Sequence, residues 1–239
     1  KLIQLEPLLS AKVVAIANSV VFNRSGKKIT DARSAVTLIG LRTVRNLATA
    51  VVVQQLAGPQ VRNEMVTQLW QHSAHVAALA QVIARRITKQ DPDTAMFAGI
   101  IHEISWFYLL AREKHYPGLT DESIASSWNS DEDLEDETEL ECEIKIGTAI
   151  LKALSVPEPV IDGIVYLWRG YLTFPPSTLG DTLLFADQLA PVKSPFILPS
   201  NQMGYSIANI DLLTDEETLS AVLKDSEAEV RSLTEALCV

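Results

Sequence analysis

The chain has 239 residues, of which 47% are apolar and 21% charged, and its formal net charge at pH 7 is −10. This length is sufficient for one large domain or two small ones with a buried core, and the apolar fraction is too high for a disordered protein. The acidic balance argues against a nucleic-acid backbone or an anionic membrane surface as the main partner, because both attract a basic surface.

The cellular setting is predicted from the cysteines and the start of the chain. Cys142 and Cys238 lie far apart in the sequence and set no disulfide framework, so we expect a reducing cytoplasm. The first residues do not form a secretory leader, and no apolar run reaches membrane-spanning length. The chain starts at Lys1 and not at Met, so we expect it to be a fragment or to lack a disordered start.

Helical periodicity dominates the first part of the chain. Apolar residues recur at helical spacing in residues 2–22, 31–38 and 43–56, which predicts three helices. Gly40 separates the last two, either as a helix C-cap or as a site of close packing. Asn18 lies near the end of the first helix, where we expect its side chain to satisfy a neighbouring backbone group.

The centre of the chain holds three of the four histidines. Residues 70–86 combine apolar periodicity with many alanines, which allow a second helix to approach closely. A second helix over residues 92–110 starts with Asp91 as N-cap and with proline at its first position. We predict a pair of tightly packed helices in which His72 and His102 face each other.

The last part of the chain contains further helices and one acidic segment. The predicted helices cover residues 120–128, 143–153, 160–168 and 178–189, followed by a single final helix from a capping box at 214–217 to about residue 237. Residues 130–143 are strongly acidic, and we interpret them as a solvated face or loop. There is no strand-rich segment and no Gly-rich phosphate loop, so the predicted fold class is all-α.

Several motifs resemble the HDOD domains, a branch of the HD superfamily. The motifs are Ala17-Asn18-Ser19, Trp70-Gln71-His72-Ser73, Gly99-Ile100-Ile101-His102-Glu103-Ile104-Ser105 and Ala186-Asp187-Gln188-Leu189-Ala190. The resemblance implies a multi-helix HD-like bundle preceded by a small helical subdomain. We divide the chain accordingly into an N-terminal subdomain (1–69), the bundle (70–190) and a C-terminal segment with one helix packed on the same domain (191–239).

The same resemblance places the metal ligands of the HD superfamily on His72, His102, Glu103 and Asp187, with Glu103 in place of the usual Asp. Imidazole and carboxylate together suit one Mn, Fe or Zn ion, or Mg on the carboxylate side. The alternative is that the histidines are structural, and that their ring N–H groups pair with Glu103 or Asp187. His75, one turn from His72, could replace a ligand, but we expect it at the solvent or at the subdomain seam.

A second metal ion is not expected. Many HDOD and HD-GYP proteins carry further histidines, but the corresponding positions here are Glu143 and the pair Leu167-Trp168. This departure argues against a two-metal site and against hydrolysis of cyclic dinucleotides. Basic residues near the motif are interpreted as partners of helix dipoles and not as catalytic groups; they are Arg85, Arg86, Lys89 and Arg112.

The leading hypothesis is a non-catalytic regulatory domain of bacterial signal transduction, which acts in the cytoplasm through signalling proteins or neighbouring signalling domains and retains a degenerate metal site. The alternative is a metal-dependent phosphohydrolase that acts on a nucleotide or another phosphate ester. A third interpretation is a scaffold or oligomerisation domain that uses Val51-Val52-Val53 and Trp128 as surface anchors, although such apolar runs are usually buried.

Overall fold

The computed structural model describes residues 7–56, 64–112, 136–173, 175–196 and 216–238. Every regular element in these ranges is helical, which confirms the all-α fold class. The helices are α1 (Pro7–Ala17), α2 (Ala32–Leu56), α3 (Glu64–Ile83), α4 (Pro92–Ile101), α5 (Ile104–Arg112), α6 (Asp136–Ala153), α7 (Glu158–Trp168), α8 (Leu179–Leu189), α9 (Glu216–Asp225) and α10 (Glu227–Leu237). A π-helical turn, Ala84–Thr88, extends α3.

The end of α1 is set by Asn18. Its side-chain Nδ2 donates to the carbonyls of Val14 (2.9 Å) and Ile29 (2.7 Å), and its Oδ1 accepts from the Ile29 N–H (2.8 Å). The helix therefore ends at Ala17, five residues before the predicted end at residue 22, because Asn18 turns the chain towards Ile29. The predicted role of Asn18, to satisfy backbone groups at a helix end, is confirmed.

The break predicted in α2 lies at Gly40. Its backbone has φ 80° and ψ 159°, so the helix is kinked there, and a Cβ at this position would meet no atom within 4 Å. Gly40 therefore provides a left-handed backbone conformation and not a close approach.

The third interpretation used Val51, Val52, Val53 and Trp128 as surface anchors. Val51 and Val53 are buried, so the interpretation is wrong for them, whereas Val52 is exposed. Trp128 lies outside the described residues.

The predicted close approach of two central helices is confirmed between α3 and α4. A Cβ on Gly99 in α4 would lie 2.6 Å from the Cα of Ala77 in α3, so only glycine fits at this crossing. The alanine side chains of α3 are small, which also allows the two helices to approach closely. This contact brings the histidine-bearing turns of the two helices together.

The prediction of one helix over residues 92–110 is wrong, because the chain forms α4 and α5 with a break at His102 and Glu103. The carbonyl of His102 accepts a hydrogen bond from the indole N–H of Trp168 in α7 (3.0 Å), a partner outside its own helix. A Cβ on Gly147 of α6 would collide with the Trp168 ring, so this glycine leaves the room that the indole occupies. Packing against α6 and α7 thus fixes the turn that carries the histidine–carboxylate pair.

The C-terminal part contains one correct and one wrong prediction. Helix α8 begins after Thr178, where the sequence predicts its start, and Thr178 also forms a capping box with Asp181 that was not predicted. The single final helix is wrong: α9 and α10 meet at the buried Ser226, whose backbone (φ −105°, ψ 2°) leaves the helical conformation. The predicted capping box at 214–217 and the predicted helix at 120–128 lie outside the described residues or at their edge.

The last turn of α10 is hydrogen-bonded to side chains of α1 and α3. The carbonyl of Leu237 accepts from the Lys12 ammonium (2.7 Å) and from the Trp70 indole N–H (3.2 Å), and the Lys12 Nζ lies 5.0 Å from the centroid of the Trp70 ring. Residues from the start and the end of the chain therefore share one core. The division at residues 69 and 190 remains a prediction.

Two helical stretches have the length and hydropathy of a membrane span, contrary to the sequence-based expectation. The first is Ala32–Leu56, which contains an 18-residue stretch of mean hydropathy 1.4 with 44% of its residues buried. The second is Pro92–Arg112, where the corresponding stretch has mean hydropathy 1.3 with 78% of its residues buried. The first is kinked at Gly40, and the second consists of α4 and α5 in the core. Core helices of globular domains meet the same criteria, so this is weak support for a membrane span.

Candidate metal centre

Four side chains from three parts of the chain converge beside the α3–α4 crossing. The His72 Nε2 atom of α3 lies 3.3 Å from the Nε2 of His102, 3.6 Å from Oε1 of Glu103 and 3.1 Å from Oδ1 of Asp187 in α8. The Nε2 of His102 lies 3.7 Å from the same Glu103 oxygen. Ligand atoms of His72, His102 and Glu103 all lie within 4.8 Å of one another, and Asp187 joins them through His72.

The cluster is closed to solvent. The exposed fraction of the whole residue is 1% for His72, 0% for His102, 1% for Glu103 and 5% for Asp187. Ionisable side chains are rarely buried to this extent unless they are paired or coordinate a metal. This group therefore requires charge compensation inside the fold.

Backbone carbonyls fix the orientation of both imidazole rings. The Nδ1 of His72 lies 2.8 Å from the carbonyl oxygen of Val192, and the Nδ1 of His102 lies 2.7 Å from that of Gly99. Because a carbonyl can only accept, each Nδ1 carries the proton, and the Nε2 of a neutral ring is left with its lone pair. Metal-binding histidines in proteins are oriented by the same kind of backbone contact.

The resulting site has more acceptors than donors. Neither carboxylate oxygen of Glu103 has a hydrogen bond of good geometry among the described residues, although the Ser194 hydroxyl is close enough to lower the pKa of this carboxyl, and both Nε2 lone pairs face the same space. Such an arrangement needs a cation: either a proton on one of the rings or a metal ion. The residues present therefore fit one divalent ion, in agreement with the ligand set that the resemblance placed on them; metal binding itself remains a prediction.

The ionisation of the cluster follows from burial and from the contacts within it. Burial raises the pKa of Glu103 to about 7; Asp187 acts in the same direction, while His72 and the Ser194 hydroxyl oppose it. Burial lowers the pKa of His102 to about 4. For His72, burial opposes protonation, but Asp187 and Glu103 outweigh it and raise its pKa. Burial likewise opposes ionisation of Asp187, but His72 holds the pKa of this carboxyl below its usual value.

Without a metal, these contacts therefore favour an imidazolium–carboxylate pair of His72 and Asp187, beside a His102 that is neutral at pH 7. This is the structural-histidine alternative, and the 3.1 Å contact between His72 and Asp187 has the geometry that it requires. The same coordinates thus suit both alternatives that the sequence left open. They differ only in whether a proton or a metal ion supplies the positive charge.

A short strap, residues 190–196, covers the cluster. Val192 holds the His72 ring, and Phe196 stacks on Trp106 of α5 with ring centroids 4.1 Å apart and planes 2° from parallel. The Lys193 ammonium donates to the Gln188 carbonyl (2.6 Å) and helps to lower the pKa of Asp187. The sequence did not predict that this segment closes the site.

Other residues considered from the sequence lie apart from the cluster or outside the described residues. His75 uses its Nδ1 on the Gln71 carbonyl (2.8 Å), Arg85 pairs with Glu229 (3.2 Å), and Arg112 lies over the Tyr108 ring. His115 lies outside the described residues. The sequence did not identify the carbonyls of Gly99 and Val192 as partners of the histidines, because no residue type marks a backbone acceptor. For the same reason it did not identify the His102 carbonyl as the partner of the Trp168 indole.

Comparison with known proteins supports the family resemblance. A profile of the HDOD domain matches residues 1–169, which include His72, His102 and Glu103 but not Asp187. No curated protein gives a match. An HDOD domain protein of unknown function from Geobacter sulfurreducens superposes with a TM-score of 0.62 at 20% identity, covering 99% of this chain and 84% of the other.

A second solved structure, from Shewanella amazonensis SB2B, is named "putative metal-dependent phosphohydrolase". It superposes with a TM-score of 0.70 at 22% identity, covering 98% of this chain and 82% of the other. At these identities the superpositions establish the fold alone. Together with the profile match over most of its length, they show that the chain belongs to the HDOD family.

Proposed function

We propose that this chain is a regulatory domain of bacterial signal transduction that acts through protein partners and does not catalyse a reaction. The observation that supports this proposal is the closure of the histidine–carboxylate cluster. A metal-dependent hydrolase must offer an open coordination position and space for the ester. In this chain, no member of the cluster is more than 5% exposed.

Two clefts of the described surface are also formed by other residues. A cleft of about 470 Å³ lies between α4, α7 and α8, and one of about 700 Å³ lies between α3, α9 and α10. Neither is lined by a member of the cluster. On this proposal the cluster is a structural element whose cation, a proton or one divalent ion, holds α3, α4 and α8 together.

The outer face of α2 is a candidate surface for a protein partner. Leu41 is 75% exposed, and Leu38 and Val52 are each 43% exposed on the same helix. Contiguous exposed apolar patches mark interaction surfaces, whereas single exposed apolar residues are common on protein surfaces. The partners that we propose are signalling proteins or neighbouring signalling domains in the cytoplasm.

A specific observation also favours a second candidate, a metal-dependent phosphohydrolase of the HD superfamily. The unpartnered carboxylate of Glu103 and the two facing Nε2 atoms fit one Mn, Fe, Zn or Mg ion, and one structural neighbour is named as such an enzyme. A divalent ion held there would supply Lewis acidity towards a water molecule or a phosphoryl oxygen.

Hydrolysis of model phosphate esters separates the two candidates. The parent protein, supplied with Mn²⁺ or Zn²⁺, is assayed with p-nitrophenyl phosphate and bis(p-nitrophenyl) phosphate beside Asp187→Asn and Asp162→Asn. Asp162 is an exposed carboxylate of α7 that lies outside the cluster, so its variant is the matched control. We expect equal background rates in all three proteins. Metal-dependent turnover that Asp162→Asn retains and Asp187→Asn loses would establish the hydrolase instead.

A further inference from the structure

The first described part of the chain is basic, although the chain as a whole is acidic. Residues 7–56 contain seven basic side chains and one acidic side chain, so their formal net charge is +6 in a chain of net charge −10. All of these basic side chains except Lys12 are exposed. They are Arg24, Lys27 and Lys28 in the loop before α2, and Arg33, Arg42 and Arg45 in α2. Positive charge is therefore concentrated on α2 and on the loop that precedes it.

Most of this positive charge is not neutralised by neighbouring carboxylates. Arg42 pairs with Asp91 at 3.4 Å, but none of the other five exposed cations forms an ion pair with a described carboxylate. Helix α2 contains no acidic residue of its own. Because unpaired charges of one sign attract a partner of the opposite sign, this surface favours an acidic partner.

Exposed apolar side chains lie among the arginines of α2. Leu41, Arg45 and Val52 are spaced by four and seven residues, so they lie on one face of the helix after the kink at Gly40, and all three are exposed. Leu38 is exposed on the other side of the kink. The opposite face of α2 packs into the core. The exposed face thus offers apolar contacts and positive charge side by side.

This combination fits an acidic helix of a protein better than a nucleic acid. Helix α2 has no aromatic side chain on which a base can stack, and its exposed apolar side chains gain no contact from a phosphate backbone.

The charge of the rest of the chain points the same way. Outside residues 7–56 the net charge is −16, which opposes a long polyanion or an anionic membrane that extends beyond α2. A single helix contacts α2 alone, and charges farther away than the Debye length of about 8 Å are largely screened. A short acidic partner therefore gains the attraction of α2 with little of the repulsion.

We propose that the exposed face of α2 binds an acidic amphipathic helix of a protein partner. The apolar side chains of that helix pack on Leu38, Leu41 and Val52, and its carboxylates pair with Arg33 and Arg45. The proposal rests on the proposed function, since it names the chemistry of the partner through which the regulatory domain acts. It holds whether or not the histidine–carboxylate cluster contains a metal.

Three fluorescently labelled peptides of about five helical turns test the charge and the apolar contacts separately. The first is an amphipathic helix with leucine on one face and glutamate on both flanks. The second has lysine in place of every glutamate, and the third has serine in place of every leucine. In fluorescence anisotropy at low salt we expect saturable binding of the first peptide, about tenfold or more tighter than either of the others. A first peptide that does not saturate, or that binds no tighter than either control peptide, would overturn the proposal.

Variants of α2 locate the bound peptide. Arg45→Glu reverses a charge on the exposed face and should weaken the first peptide about three- to thirtyfold, and Leu41→Ser should weaken it about two- to tenfold. Arg231→Glu makes the same charge change at an exposed arginine of α10 and should leave the affinity within about twofold of the parent. Binding that survives both α2 variants, or that Arg231→Glu weakens as much as Arg45→Glu, would refute the site.

Thermal unfolding of each variant shows whether it is folded. The three substituted side chains are exposed, so we expect each variant to unfold at the same midpoint as the parent. Weaker binding by a variant with an unchanged midpoint then reports the loss of a contact and not the loss of the fold.

Other occupants of the same face give different results. Labelled single-stranded DNA that binds more tightly than the first peptide would replace the protein helix by a nucleic acid. Sedimentation with phosphatidylglycerol vesicles that Arg45→Glu abolishes would replace it by a membrane, and a parent dimer that Arg45→Glu dissociates would replace it by a second copy of the chain. These assays contain no metal and no ester, so their failure would remove the α2 surface and leave the test of hydrolysis unaffected.

Discussion

Replacing Glu103 with glutamine should stabilise the metal-free protein at pH 8. Both oxygens of this buried carboxylate lack a hydrogen bond of good geometry among the described residues, and burial raises its pKa from its usual 4.5 to about 7. Glutamine has nearly the same shape but no charge, so the variant removes the cost of ionising a buried group. The effect should therefore depend on pH.

The magnitude follows from proton linkage. Between pH 4.5 and about 7 the folded state binds more protons than the unfolded state, so the parent loses stability as the pH rises through this window. At about 1.4 kcal/mol for each pH unit, the full loss is about 3 kcal/mol. Glu103→Gln should thus match the parent at pH 4.5 and exceed it by about 2–3 kcal/mol at pH 8.

Urea unfolding of chelator-treated protein at pH 4.5 and pH 8 measures the difference. Asp187→Asn is the control with the opposite sign, because His72 stabilises the ionised Asp187 and lowers its pKa. Repeating the pH 8 experiment with saturating Zn²⁺ should reverse the result for Glu103→Gln if the carboxylate is a ligand. If chelator-treated Glu103→Gln protein is less stable than chelator-treated parent at pH 8, the reasoning is refuted.

Two further substitutions test the α3–α4 crossing and the contact of Lys12 with the last turn of α10. Gly99→Ala places a methyl group 2.6 Å from the Ala77 Cα and should destabilise the fold by about 1–3 kcal/mol, seen as a lower midpoint of thermal unfolding; an unchanged midpoint would contradict the tight crossing. Burial lowers the pKa of Lys12 to about 8 from 10.5, so the unfolded state binds more protons between these values and the parent should gain about 1–3 kcal/mol of stability as the pH rises from 8 to 10.5. Lys12→Met should abolish this gain in urea unfolding; a variant that retains it would show that other groups cause it.

The sequence was most informative where one residue type permits one local structure. Asp91 and Pro92 define the start of α4, Gly40 supplies a backbone conformation that other residues rarely adopt, and Thr178 starts α8. The motifs, and the order in which they follow one another along the chain, identified the family and the four residues of the cluster. Side-chain chemistry and local backbone preference are both visible in a single sequence, and these predictions needed nothing else.

Predictions failed where a distant partner determines the local structure. At the break between α4 and α5, the His102 carbonyl accepts a hydrogen bond from the indole of Trp168, 66 residues further along the chain. The strap over the cluster depends on the stacking of Phe196 on Trp106 and on the carbonyl of Val192. Because a backbone carbonyl carries no residue-specific signal, its role becomes visible only in three dimensions.

The departure at position 168 has a structural explanation. The sequence comparison with HD-GYP proteins noted that Leu167-Trp168 replaces a histidine pair, and this argued against a second metal. In the fold, Trp168 is buried and its indole fixes the turn that carries His102 and Glu103. The position thus orients the cluster through the backbone.

The most direct test of the account is the metal content of the protein, measured by mass spectrometry after purification without chelator, for the parent, His102→Ala and His75→Ala. His75 lies one turn from His72 outside the cluster and serves as the matched control. If the four residues form one cation site, added Mn²⁺ or Zn²⁺ should reach at most one tightly held ion per chain in the parent and His75→Ala, and none in His102→Ala, with no ester hydrolysis in the loaded samples. Two ions per chain, or hydrolysis that follows the metal content, would contradict the account.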